Sequence, residues 1–143
     1  RTRGTTMTTD QKDSMIRVAR TAMNNAWAPY SHFCVGAAVL GGSGAIHAGC
    51  NVENSSYPVG TCAERNAIGA AIAAGEKTIS AIVVVASHPE PVTPCGMCRQ
   101  ALNEFGSGVT VVCVGENGNE RLYLVRDLLP DAFDDGMLDG RKK

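Results

Sequence analysis

No charge of one sign dominates this chain: 13 basic residues stand against 14 acidic ones, a formal net of -1. A protein that grips a polynucleotide backbone usually carries a basic stripe. Beyond the short run Arg141, Lys142, Lys143 there is none, so long nucleic acid is not an expected partner. Long apolar runs are missing too. The longest, near Ala67 to Ala74, falls well short of the roughly 18 residues that a membrane span needs. Arg1 to Thr6 hold no apolar core, so no secretory signal is expected there and the expected compartment is cytoplasmic. Repeats, low-complexity stretches and linkers are also absent, which predicts one domain over 1–143, with 1–8 a flexible lead and 135–143 a flexible tail. The chain is 44% hydrophobic and 19% charged, with 16 Gly and 6 Pro. That profile excludes a collagen-like, coiled-coil or disordered chain.

Six cysteines lie at 34, 50, 62, 95, 98 and 113. Without an export signal, and with enough residues to bury a core, disulfides are not expected. Cys34, Cys50 and Cys113 read as small buried hydrophobes on strands. The other three need another account.

Periodicity predicts the elements around them. Thr8 and Gln11 form a capping-box pattern, and Met15, Val18, Ala19, Ala22, Met23 and Ala26 continue it as a helix ending before Pro29. Phe33 to Leu40 and Ala45 to Val52 read as a hairpin around Gly41, Gly42, Ser43 and Gly44. A second helix is predicted over 62–74, closed by Gly75. Ile79 to Ala86 has the continuous β-branched character of a strand buried on both faces. A third helix over 95–105, strands over 109–114 and 121–125, and a short helix before Pro130 complete the chain. This alternation predicts a three-layer α/β/α sandwich around a mixed five-stranded sheet.

Two of the helix starts carry unusual chemistry: Thr61, Cys62, Ala63, Glu64, Arg65 at one, and Pro94, Cys95, Gly96, Met97, Cys98, Arg99 at the other. Free N–H groups and a positive dipole end favour thiolates at a helix start, and residues three apart share a helical face. Three thiolates meeting between two helix ends would make a zinc site with one open position. The plainer account of Thr61 and Glu64 is an ordinary capping box, and a lone CxxC is weak evidence. Their co-occurrence is not: C-x-E followed downstream by P-C-x-x-C is the zinc-deaminase signature. His88, Pro89 and Glu90 also spell H-x-E, but flanking prolines leave no helix to aim them. Because residues two apart diverge within a helix, Cys62 and Glu64 must occupy its opening turn.

Several further segments resemble the cytidine deaminases. They are Ala28 to Ala38 (A-P-Y-S-H-F-C-V-G-A-A), Asn51 to Pro58 (N-V-E-N-S-S-Y-P), C-A-E-R at 62–65, P-C-G-M-C-R-Q at 94–100, and L-L-P-D-A-F at 128–133. The resemblance runs from about residue 10 to 133 and is to the short, all-cysteine, homotetrameric type. It implies Zn²⁺ on Cys62, Cys95 and Cys98, with water as fourth ligand and Glu64 as the catalytic proton carrier. It also implies a nucleoside substrate contacted by Phe33, Asn51, Glu53, Tyr57 and Ala63, and by Phe133 reaching a neighbouring subunit. Zinc with three thiolates carries a net negative charge. Arg65 and Arg99 are therefore expected to donate to the ligand sulfurs. Cys34 and Ser55 depart mildly from the family pattern. Two rivals remain: a deaminase acting on another base, and a closed structural zinc module with His47 or Cys50 as fourth ligand.

Overall fold

The computed structural model describes residues 7–139. Helix α1 (Thr9–Asn24) opens with the expected reciprocal cap: Thr8 Oγ1 accepts from Gln11 N at 3.0 Å, and Gln11 Oε1 accepts from Thr8 N at 2.9 Å. Strands β1 (Val35–Gly41) and β2 (Ile46–Cys50) form the hairpin, turning through Gly44 at φ +91°. A single 3₁₀ turn, Tyr57–Val59, leads to α2 (Ala63–Ala73). Gly75, at φ +101° just past that helix, takes the left-handed backbone that favours glycine. Then come β3 (Ile79–Ala86), α3 (Gly96–Asn103), β4 (Thr110–Val114), β5 (Glu120–Leu124), α4 (Val125–Leu128) and α5 (Gly136–Asp139).

The five strands form one sheet in the order β2-β1-β3-β4-β5. Only β3 and β4 run parallel, joined by the crossover that contains α3; the other neighbours are antiparallel. The sheet is therefore mixed, as the alternation predicts, with β2 and β5 at its edges.

Period-two alternation sorts β3 between two cores. Ala81, Val83 and Val85 face α1 with Met15 and Ala19. Ile82 and Val84 face the other layer with Ala63, Ala67 and Ala71 of α2 and Leu102 of α3. With both faces covered, the strand has no polar side to show, hence its unbroken apolar run. Small residues on α2 bring that helix close to the sheet. At Gly49 on β2 a side chain would already collide with its backbone, a Cβ there lying 2.6 Å from the Ala63 oxygen.

Three expectations change. The expected flexible lead and tail reach into 1–6 and 140–143, which lie outside the described residues. Within the described chain both are shorter than expected, because Met7 packs on the α1-side core, Thr8 caps α1, and Gly136–Asp139 is helical. The third helix stops at Asn103, where a tight turn carries Phe105 N to Leu102 O. Of the three cysteines read as strand hydrophobes, only Cys113 on β4 is fully buried. Cys50 ends edge strand β2 and Cys34 precedes β1, both half-covered, because each lies at a strand end and not in the middle of the sheet.

Candidate active site

Cys62 is the N-cap of α2 and Cys95 the N-cap of α3, both with extended backbone. Glu64 is the second residue of α2, so Cys62 and Glu64 share the opening turn. No side chain caps α2, and the Thr61 hydroxyl turns instead to the Val59 carbonyl at 3.5 Å. The ordinary capping box is therefore not formed, which leaves the glutamate free of that task. An antiparallel bridge between Val52 and Thr61 brings the chain into this turn.

Sulfur atoms 33 residues apart in sequence meet here. Cys62 Sγ lies 3.8 Å from Cys95 Sγ, which lies 3.7 Å from Cys98 Sγ, and all three fall within 4.8 Å of one another. A tetrahedral zinc–thiolate centre with bonds near 2.3 Å requires sulfur separations of about 3.8 Å. The donor set and its spacing fit a zinc ion. Among the described residues no His, Asp or Glu joins the group. His47 contacts Glu76 at 2.7 Å, and Cys50 is outside the trio. The closed four-ligand module thus lacks its fourth protein donor, leaving a position open.

The protons within the trio are unevenly held. A hydrogen bond from Cys98 pulls Cys62 down to about 5, with Cys95 and the Arg65 charge assisting. Cys98, the donor and fully buried, is pushed the other way. Arg65 supplies Cys62 with both charge and a hydrogen bond. Its Nε is buried with no partner. Arg99 does not do what its position beside Cys98 leads one to expect. Its Nε donates to Pro94 O at 2.7 Å, its Nη1 to Leu128 O at 2.8 Å and its Nη2 to Thr93 Oγ1 at 3.0 Å. The helical turn aims it away from the sulfurs, toward two backbone carbonyls and the Thr93 hydroxyl.

Glu64 is 5% exposed. Burial, aided by the Cys62 charge, raises its carboxyl above the usual carboxylate range. It lines a cavity of about 250 Å³ with Phe33, Asn51, Cys62, Ala63, Thr93 and Cys95. Asn51 is fixed in the wall: its Oδ1 accepts from Val35 N and its Nδ2 donates to Phe33 O, both at 2.8 Å. Glu53 and Tyr57 line a neighbouring hollow of about 330 Å³ with Tyr30, Ser31, Asn54 and Gly60. Asn51 and Glu53, with only Val52 between them, thus line two hollows on the same stretch of chain. Past the end of the ladder Val52 bridges Thr61 on one side, while Asn51 O and Glu53 N both bond Trp27 on the other, so the backbone stays extended and alternates through 51–53.

Glu53 accepts from Tyr30 N at 2.9 Å, from Ser31 N at 3.1 Å and from the Ser31 hydroxyl. The Ser31 bonds hold its carboxyl below the usual range. Tyr57, 75% exposed, meets Tyr30 edge-on at 5.7 Å. Phe133 lies outside both hollows, 58% exposed, with its carbonyl held by Gln100 Nε2 at 2.9 Å. Spacing gave no notice of Ser31 as the anchor of Glu53, or of Thr93 as a wall residue. The tyrosine–serine pair at 30 and 31 within the entry segment was the only available signal.

A three-thiol centre with an open position, a buried carboxyl beside it, and a mixed sheet between helical layers together define the zinc-deaminase class. Residues 9–115 match the family model of the cytidine and deoxycytidylate deaminase zinc-binding region. A cytidine deaminase of Sporosarcina psychrophila is 42% identical over 122 residues, covering 85% of this chain and 90% of that one. The crystal structure of cytidine deaminase from Burkholderia pseudomallei is 44% identical, with a TM-score of 0.82 over 89% of this chain and all of that one. The cytidine deaminase structure from Mycobacterium tuberculosis is 38% identical, with a TM-score of 0.74 over 85% of this chain and 96% of that one. This chain belongs to the cytidine and deoxycytidylate deaminase family, and it is an enzyme.

Proposed function

We propose that the protein hydrolyses cytidine and deoxycytidine to uridine and deoxyuridine with release of ammonia, in pyrimidine salvage. One observation carries the reading: the buried Glu64 carboxyl shares a cavity wall with Cys62 and Cys95, the exposed edge of the three-thiol group. Zinc held by Cys62, Cys95 and Cys98 supplies a Lewis acid that lowers the pKa of water.

The protein's own groups do the rest. Glu64 takes a proton from the attacking water on its carboxylate and passes it to the pyrimidine ring nitrogen. It then takes the remaining proton from the hydroxyl now on carbon 4 and gives it to the amine, so that the C–N bond breaks, ammonia leaves and a carbonyl remains. A carboxyl whose affinity for protons is raised by burial suits both halves of that shuttle. Arg65, charged beside Cys62, offsets the excess negative charge of three thiolates. Phe33 stacks on the base. Asn51 retains one amide hydrogen and one acceptor lone pair beyond its two backbone bonds, and with Glu53 it holds the ribose 3′-hydroxyl. The Ala63 N–H, in the first turn of α2 where intrahelical partners are lacking, is a further donor toward substrate.

The described residues form one domain around one sheet, acting as a homotetramer in the cytoplasm with sites at subunit interfaces. Exposed Trp27, Tyr30, Val52, Tyr57, Val59 and Phe133 support such contacts, and Tyr57 and Phe133 serve sites between chains. No described helix is long and apolar enough to cross a membrane.

The deciding experiment follows cytidine absorbance with purified protein, with zinc quantified on the same sample and Glu64→Ala alongside. Turnover by the wild type near one zinc per chain, with a zinc-loaded variant slower by on the order of 10²–10⁴, is the expected result. Bound zinc with no turnover of cytidine or deoxycytidine refutes the substrate assignment and points to another base.

A further inference from the structure

Cys95 has the least framework of the three thiols. Cys98 lies inside α3 and is fully buried, and Cys62 follows a bridged segment. Cys95 is exposed, its thiol caps nothing, and it ends a stretch, Pro91 to Pro94, outside any helix or strand. Pro91 and Pro94 are buried, and the side-chain hydrogen bonds given for that stretch come from the next turn of α3. Arg99 clasps Pro94 O and Thr93 Oγ1 on one side and Leu128 O, at the end of α4, on the other. Its backbone N also closes the first helical turn onto Cys95 O at 3.0 Å.

We propose that Arg99 is a positioning residue for the metal centre. It acts through no sulfur: it holds the backbone before Cys95 against the end of α4, presetting the Cys95 thiol toward Cys62 and Cys98. The inference rests on the reading of Cys95 as a metal ligand. It also accounts for an arginine at this position. Three acceptors diverging around one half-buried point match the fixed fork of a guanidinium, whereas an ammonium on a flexible stem cannot span them in that geometry. Thr93, one of the three acceptors, is also a wall residue of the cavity, so the same clasp shapes the substrate side.

The test is zinc release from zinc-loaded full-length protein to a chromogenic chelator in excess, with circular dichroism and thermal midpoints on each variant. Arg99→Gln is expected to fold and take up one zinc per chain at saturation, yet release it on the order of ten times faster than the wild type. Arg99→Lys, which reaches fewer acceptors, is also expected to release faster. Thr93→Val, which removes one contact, is expected to show a smaller acceleration. Val111→Ala, a cavity in the core behind α2, serves as the control for general destabilisation and is expected to release zinc at the wild-type rate.

Release within twofold of wild type for both Arg99 variants overturns the inference. So does equal acceleration by Val111→Ala at a comparable loss of thermal midpoint. If Arg99→Gln does not fold, Arg99→Lys and Thr93→Val decide, and wild-type release from both overturns it. Wild-type protein that takes up no zinc overturns the metal reading itself, and this inference with it.

Discussion

Replacing Gly49 by alanine should disable the enzyme from the far side of α2. Gly49 pairs with Ala37 in the β1–β2 ladder and lies directly against that helix. A Cβ there would sit 2.6 Å from Ala63 O and 2.9 Å from Ala67 Cα, and closer still to Ala67 N. Ordinary carbon contacts need about 3.5–4.0 Å, so α2 must withdraw by about 1 Å. All three atoms are backbone, so no side-chain rotation relieves the clash. Overpacking of this kind costs about 1–3 kcal/mol, a fall in thermal midpoint of about 2–12 °C for a domain of this size. The functional loss should be larger. Ala63, one of the colliding residues, lies between Cys62 and Glu64, and a shift near 1 Å in a reacting group costs on the order of 10²-fold. The assay is kcat/KM for cytidine with zinc content and thermal midpoint on the same samples. Gly69→Ala provides the comparison: it lies on an exposed part of α2 with nothing within 4 Å of a new Cβ. It should gain up to about 1 kcal/mol of helix stability at unchanged activity. A Gly49→Ala enzyme with wild-type midpoint and activity would refute the tight seating of α2 on β2.

Arg65→Gln removes the charge beside Cys62, and slower turnover with faster zinc loss is expected; unchanged zinc content and turnover would end the charge-compensation argument. Glu76 accepts from the Ser43 hydroxyl at 2.6 Å and contacts His47 at 2.7 Å, which holds its carboxyl down to about 2 from an ordinary 4.5. A lowered folded-state pKa stabilises above the unfolded value and is lost as pH falls, so the wild type should weaken between about pH 4.5 and 2. Glu76→Gln should be less stable at pH 7 and flatter across that window, as read by chemical denaturation. Light scattering after size exclusion should give four chains per particle, and a monomer would remove the roles of Tyr57 and Phe133 at a neighbour's site.

Much of the site was written locally. The Thr8–Gln11 box, the apolar run of β3 and the cysteines at two helix starts each depend on residues a few positions apart, and each stands in the structure where periodicity put it. The assignment failed where a side chain's partner is backbone from elsewhere. Arg99 follows a thiol ligand in sequence, yet the helix turns its guanidinium toward Pro94, Thr93 and Leu128. Carbonyl acceptors carry no sequence signature, since every residue has one. Glu53 likewise spends its carboxylate on the Tyr30 and Ser31 amides and the Ser31 hydroxyl, partners that alternation along 51–53 does not announce.

By itself, then, the sequence determined the donor set: three thiols and one carboxyl placed at the opening turns of helices, where unpaired N–H groups and the dipole favour negative charge. It also determined the strand and helix periods that demand a sheet covered on both faces. Only the tertiary structure decided that Cys62 and Cys95, 33 residues apart, come within 3.8 Å. Only it decided that Glu64 is buried and so holds its proton more tightly, and that Arg99 serves the loop rather than the sulfurs. Burial and long-range contact are properties of packed layers, and they arise only once α2, α3 and the sheet between them have come together.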